Sequence, residues 1–225
     1  MPREPIPFVR AGGFLQAEKM FVLSYEGAKS EKKYFDDFRH SKWFNNNGLI
    51  EIIPLKRPEN VGSDPISVRN LLKKAKDDFR FKSTDEFWLI IDRDNWEDIH
   101  NHDFNQLARD CEKEKNFYLA MSNPCFELWL LLHLMSFDEL DDTQKQKLLE
   151  NKKVNKSKNY IDQLLGELQG QGYNKRPNPK IYLPKTRIAL ERAKQIDQLN
   201  EAYPKTLGTH VYRLIDKLIV PENQN

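Results

Sequence analysis

Phe87-Trp88-Leu89-Ile90-Ile91-Asp92-Arg93-Asp94 (FWLIIDRD) decides the architecture. Five apolar residues in succession, two aromatic and two β-branched, predict a strand covered on both faces, as in parallel sheets flanked by helices. The strand ends in two carboxylates. In an open α/β sheet the carboxyl ends of strands are where ligands gather, and alternation along an extended segment predicts a common side for Asp92 and Asp94.

The flanking sequence repeats the strand and helix pattern. On the amino-terminal side, Lys19–Tyr25 (KMFVLSY) reads as a buried strand that stops at Glu26-Gly27. A helix follows, with Ser30 as its expected cap and Tyr34, Phe35 and Phe38 at helical spacing. Residues 49–55 (LIEIIPL) predict a further strand, with Pro54 near its end or at an edge. Asp64 and Pro65 then open a helix over residues 66–79, whose stripe is Val68, Leu71, Leu72, Ala75 and Phe79. On the carboxyl side, Phe104, Leu107, Ala108 and Cys111 predict a helix. Residues 117–121 form the fourth strand, broken at Ser122-Asn123-Pro124, and an apolar helix runs over 125–135. This alternation predicts a mainly parallel, doubly wound sheet. Beyond Asp138 only helices are expected, over 143–150, 160–168, 186–199 and 209–219. The predicted organisation is an N-terminal extension (1–18), an α/β core (19–137) and a helical annex packed on the core (138–225).

The chain has 225 residues, 39% of them hydrophobic and 31% charged, enough for a real core with a well-solvated exterior. Its formal charge of +2 excludes a global electrostatic argument for a polyanionic partner, so any nucleic-acid site must be local. Residues 1–13 lack a secretory apolar stretch, and the longest apolar runs, such as residues 128–132, are too short to span a bilayer; a cytoplasmic protein is expected. Cys111 and Cys125 form no CxxC pair and are expected as buried thiols.

Glu26, Asp92 and Asp94, each at the end of a strand, can converge across one crevice. Asp92 and Asp94 offer hard oxygen ligands suited to magnesium, with manganese as an alternative, and Glu26 reads as a third metal ligand or as the proton-transfer group. A strand-terminal DxD also serves as a helix cap or a loop carboxylate pair. Glu127 lies among Phe126, Leu128, Trp129 and Leu130, where a carboxylate is costly unless it joins the site or pairs with a base such as Arg93. Asn123 reads as a turn former or a phosphate donor. His133 reads as a satisfied core histidine, and His210 as a group near a helix start that can meet a phosphate. Lys29, Lys32 and Lys33 follow Glu26-Gly27 where a helix begins, a setting that favours a phosphate or forms an ordinary solvated face. Residues 173–187 interleave Tyr173 and Tyr182 with Lys175, Arg176, Lys180, Lys185 and Arg187. That composition suits either a nucleic-acid track or a solvated basic loop.

Four stretches together resemble the RloB family: residues 26–35 (EGAKSEKKYF), 92–94 (DRD), 122–133 (SNPCFELWLLLH) and 204–218 (PKTLGTHVYRLIDKL). The third is the most specific. The resemblance implies a Toprim-like nuclease of bacterial defence systems. Glu26 would be the general acid or base, Asp92 and Asp94 the metal ligands, and Glu127 a further site residue. It also implies hydrolysis of nucleic acid, either RNA such as tRNA or DNA, in concert with a separate ATPase, since the chain has no GxxxxGK[ST] loop. A non-catalytic adaptor that binds a metal or nucleic acid for such an ATPase is the alternative.

Overall fold

The computed structural model describes residues 18–27, 29–45, 50–58, 62–78, 81–94, 103–138, 140–197 and 201–221. The expected extension up to residue 17 and the predicted helix or strand positions Leu49, Phe79 and Leu199 lie outside them. In chain order the elements are β1 (Lys19–Tyr25), α1 (Ser30–Arg39), β2 (Ile50–Pro54), α2 (Pro65–Asp78), β3 (Glu86–Asp92), α3 (Phe104–Lys113), β4 (Phe117–Asn123) and α4 (Glu127–Leu134). Then follow α5 (Asp142–Glu150), α6 (Tyr160–Leu168), α7 (Pro179–Tyr182) leading into a 3-10 turn (Leu183–Lys185), α8 (Thr186–Ile196), β5 (Gly208–Thr209) and α9 (Val211–Leu218).

The five-stranded sheet has the order β2-β1-β3-β4-β5. The first four strands are parallel and β5 is antiparallel to β4. The predicted α/β class holds, and a mostly parallel sheet with flanking helices is consistent with the Toprim-like expectation. Pro54, which lacks an N–H, closes the edge strand β2, as its chemistry requires.

The pleat divides the core. Val22, Phe87, Leu89 and Ile91 point to one face, against Val68 and Leu72 of α2 and Phe104 and Leu107 of α3. Phe21, Leu23, Trp88 and Ile90 point to the other, against α1, α4, α6, α8 and α9. Each such Leu, Ile or Phe contributes roughly 1.5–3 kcal/mol by leaving water. Helix α4 is apolar all round, and residues Leu128, Trp129, Leu130, Leu131 and Leu132 are fully enclosed. A helix of that composition needs cover on every side, and α6 and α8 provide it, so the annex forms a wall of the same core.

Two local expectations are corrected. The helices-only reading beyond Asp138 misses β5, where Thr209 pairs with Ser122 and Gly208 with Asn123. Two residues carry no readable period. Ser30 does not cap α1: the cap position falls on Lys29, without a side-chain bond, and the Ser30 hydroxyl turns elsewhere. Asp64 does behave as expected, its Oδ1 accepting the Ser67 N–H at 3.0 Å. Among the described residues no helix is long and apolar enough to cross a membrane.

Candidate functional site

From β1 the chain crosses to the β2 side, whereas from β3 it crosses to the β4 side. The crevice left at that reversal, beyond the carboxyl ends of β1 and β3, is the usual ligand position in such sheets. Glu26 and Asp92 meet there. The Glu26 N–H donates to the Ile90 carbonyl at 3.1 Å, and its Oε2 accepts the Asp92 N–H at 3.2 Å. Asp92 Oδ1 in turn accepts the Phe126 N–H at 2.8 Å, tying the end of β3 to the start of α4. Asp94 lies past the strand, with φ of 36° and its N–H on the Pro124 carbonyl at 2.9 Å. The alternation that predicted a common side therefore does not extend through Asp94. The turn, which an aspartate tolerates in this left-handed region, keeps the two carboxylates neighbours instead.

Glu127 opens α4 and is buried, as its apolar context predicted. Its partner is Lys175, not Arg93, whose guanidinium donates to the Lys205 carbonyl at 2.6 Å. Oε1 of Glu127 collects the Ser30 hydroxyl at 2.6 Å, the Tyr173 hydroxyl at 3.1 Å and the Lys175 ammonium at 3.1 Å. The same ammonium lies 2.7 Å from Asp162 Oδ1. Burial alone would raise the Glu127 carboxyl, but Lys175 and Ser30 outweigh it and hold it below the ordinary range. Glu127 is thus a fixed anion.

Sequence reasoning missed Glu31. It is 3% exposed, and its Oε1 accepts the Gly27 N–H at 2.9 Å. Burial and the Glu127 charge lift its pKa to about 7. The signal was present: Glu31, Tyr34, Phe35 and Phe38 occupy i, i+3, i+4 and i+7, so a carboxylate stands at a core position of an amphipathic helix. Gly27 is needed beneath it, because a Cβ there would come within 2.0 Å of Glu31 Oε2.

These carboxylates repel one another. Burial, then Asp94, Glu31, Glu26 and Glu127 in that order, raise the Asp92 carboxyl well above its ordinary value. Asp94 is lifted to about 6 by burial and Glu127, with Lys175 opposing. Among the described residues no three Asp, Glu, His or Cys side chains are disposed to hold one cation, and Glu26 commits an oxygen to the Asp92 N–H. The donor chemistry does fit magnesium in its usual mode, one or two carboxylates completed by water and substrate oxygens. Asp92 and Asp94 are adjacent hard anions, and the nearby ammonium is engaged by Glu127 and Asp162.

The expected nucleic-acid residues scatter. Lys29, Arg176 and Lys185 are exposed, while Lys33 pairs with Asp37 one turn on. Lys175 belongs to the carboxylate cluster, and Arg187 donates to the Val220 carbonyl. Tyr173 and Tyr182 are buried, their hydroxyls on Glu127 and on Gln169 at 3.0 Å, so neither ring offers a face to a base. The basic stretch is thus anchored by its tyrosines, with only part of its charge outside.

His133 is the core histidine predicted, its Nδ1 2.9 Å from the Trp129 carbonyl and its pKa pushed down to about 3 by burial. His210 faces Asp197 at 2.9 Å and is fully buried; burial and Arg213 lower it to about 4. Asn123, the last residue of β4 before Pro124, donates its side-chain amide to the Pro204 carbonyl at 3.3 Å. Both cysteines are buried and free.

No curated protein and no solved structure matches the chain. The family described as RloB-like protein matches residues 21–218, a span that begins within β1, takes in the whole carboxylate cluster and ends with α9. With that match covering most of its length, the chain belongs to the RloB-like protein family.

Proposed function

We propose that the protein is a divalent-cation-dependent nuclease that hydrolyses phosphodiester bonds, in RNA such as tRNA or in DNA, as an effector of bacterial anti-phage defence working with a separate ATPase. The observation that carries this reading is the acidic cluster at the sheet's point of reversal, only partly compensated by Lys175, where Asp94, Glu31, Glu26 and Glu127 add to burial in raising the Asp92 carboxyl. Clustered pKa displacement in a crevice marks functional sites, and this cluster has the sign that attracts a cation.

Asp92 and Asp94 would hold magnesium, or manganese in its place. When bound, the ion supplies polarisation of the phosphate and a water acidic enough to attack it. Glu26, fixed by the Asp92 N–H, moves the proton. Glu127 keeps Ser30, Tyr173 and Lys175 in place behind the aspartates.

The test is cleavage of labelled RNA and DNA by purified protein with magnesium, with excess chelator, and with Asp92→Ala. Cleavage that needs the ion and vanishes in the variant is expected. Cleavage that persists in chelator or in Asp92→Ala would rule the mechanism out. The Lys175 ammonium already neutralises part of the cluster, and this favours a second reading, a non-catalytic adaptor that binds a metal or nucleic acid. Calorimetric titration of magnesium, with and without oligonucleotide, separates the two when run beside the cleavage assay.

A further inference from the structure

A cleft of about 700 Å³ lies between α1 and the β2 edge, and it runs up to Gly27, the residue beneath Glu31. Its walls carry Lys32 and Arg39 from α1 and Lys56 and Arg57 from the segment after β2, against the acids Asp36 and Glu51. Asp36 is already paired with the Arg39 fork at 3.1 Å, whereas the buried Arg39 Nε has no acceptor among the described residues. Arg57 reaches across to the acidic centre, donating to the Glu26 carbonyl at 2.6 Å. Beside these cations the lining includes Tyr25, Pro54, Leu55 and Leu71.

We infer that this cleft holds the single-stranded segment of nucleic acid that flanks the phosphate at the carboxylate centre. The inference rests on the hydrolytic reading above and adds the path of the substrate. Cations next to an aromatic and apolar wall match the two needs of an unpaired strand, phosphates to neutralise and bases to cover. A duplex presents phosphates alone to such a recess, its bases being stacked and paired. A total charge of +2 requires any phosphate-binding surface to be local, and here four basic side chains line the cleft against two acids. Lys32 and Lys56 are exposed and make the outer contacts, while Arg57 links the cleft to Glu26.

The experiment is fluorescence anisotropy with full-length protein in chelator, so that binding is read without cleavage. Labelled single-stranded RNA, single-stranded DNA and the corresponding duplex are titrated over a salt series. Lys32→Ala/Lys56→Ala should weaken single-strand binding about tenfold and make the log–log salt slope shallower by about 1.4, the value for two lost phosphate contacts on a single strand. A control pair of exposed lysines, Lys153→Ala/Lys156→Ala, should stay within about twofold of the parent. Unchanged binding and slope in the cleft pair overturn the assignment, as does a duplex that binds as tightly as the strand. Preference for ribose or deoxyribose supports it and identifies the sugar. Cleft-dependent binding without magnesium-dependent cleavage would remove the hydrolytic reading and leave the cleft standing. Cleavage with an indifferent cleft pair would do the reverse.

Discussion

The Lys175 ammonium stands 3.1 Å from the Glu127 carboxylate and bridges it to Asp162 at 2.7 Å, joining α4 to α6 through the loop that precedes α7. The loop delivers it through a left-handed residue, Lys175 itself at φ 62°, a conformation that a lysine holds only when its surroundings fix it. Burial would lower this ammonium, but Glu127 and Asp162 push it well above its ordinary value, so it stays charged.

Lys175→Met should therefore leave Glu127 as an unpaired buried anion. The expected loss is about 2–3 kcal/mol, below the range for a fully enclosed pair because Lys175 is 39% exposed on its side chain. Adding Glu127→Gln should restore most of it. Urea denaturation of both variants provides the check, and a single-variant loss under about 0.5 kcal/mol would deny the pair its structural role.

Glu31 gives the metal-free protein an unusual pH dependence. Its folded pKa of about 7 lies above the ordinary 4.5, so the folded state holds the proton more tightly. The stability this confers is complete below pH 4.5 and is lost as pH rises through 7, by up to about 3 kcal/mol. Unfolding free energies in chelator should fall between those limits, and Glu31→Gln should flatten the decline. An identical slope in the variant would assign the dependence elsewhere.

Asp92→Asn keeps an oxygen for the Phe126 N–H while removing the charge that Asp94, Glu31, Glu26 and Glu127 repel. In the absence of divalent ions, and at a pH high enough to ionise Asp92, the variant should melt higher than the parent, by about 2–4 °C for each kcal/mol of repulsion relieved. Magnesium-dependent cleavage should fall at least about a hundredfold in the same variant. A lower melting temperature would show that the cluster repels less than its geometry requires.

Gly27→Ala would drive a methyl to within 2.0 Å of Glu31 Oε2. The enclosed carboxylate has to give way, at about 1–3 kcal/mol, and the Gly27 N–H loses its acceptor. In a Glu31→Ala background the same substitution should cost almost nothing. A double-mutant cycle on thermal or urea unfolding measures the coupling, and additive losses would place the strain outside this contact.

Much of this protein could be read in its residues. The apolar run before Asp92, the strand before Glu26 and the stripes of α2 and α3 record which face of each element is covered, because a period of two or 3.6 residues is a local property. Glu26 and Asp92 were legible as carboxylates at strand ends, although their meeting rests on β1 and β3 being neighbours in the sheet, and Glu127 was legible as a carboxylate in an apolar helix. Partner choice was not legible. Ser30 and Tyr173 share a hydrogen bond although 143 positions separate them, and Lys175 left a basic stretch to neutralise the site. Tyr173 and Tyr182 looked available for stacking until burial placed both inside. The sequence by itself determined the layers and the ends of strands where acids collect. Only the tertiary structure decided which charges face each other, because electrostatic energy depends on distance and exposure in space, and periodicity along the chain encodes neither.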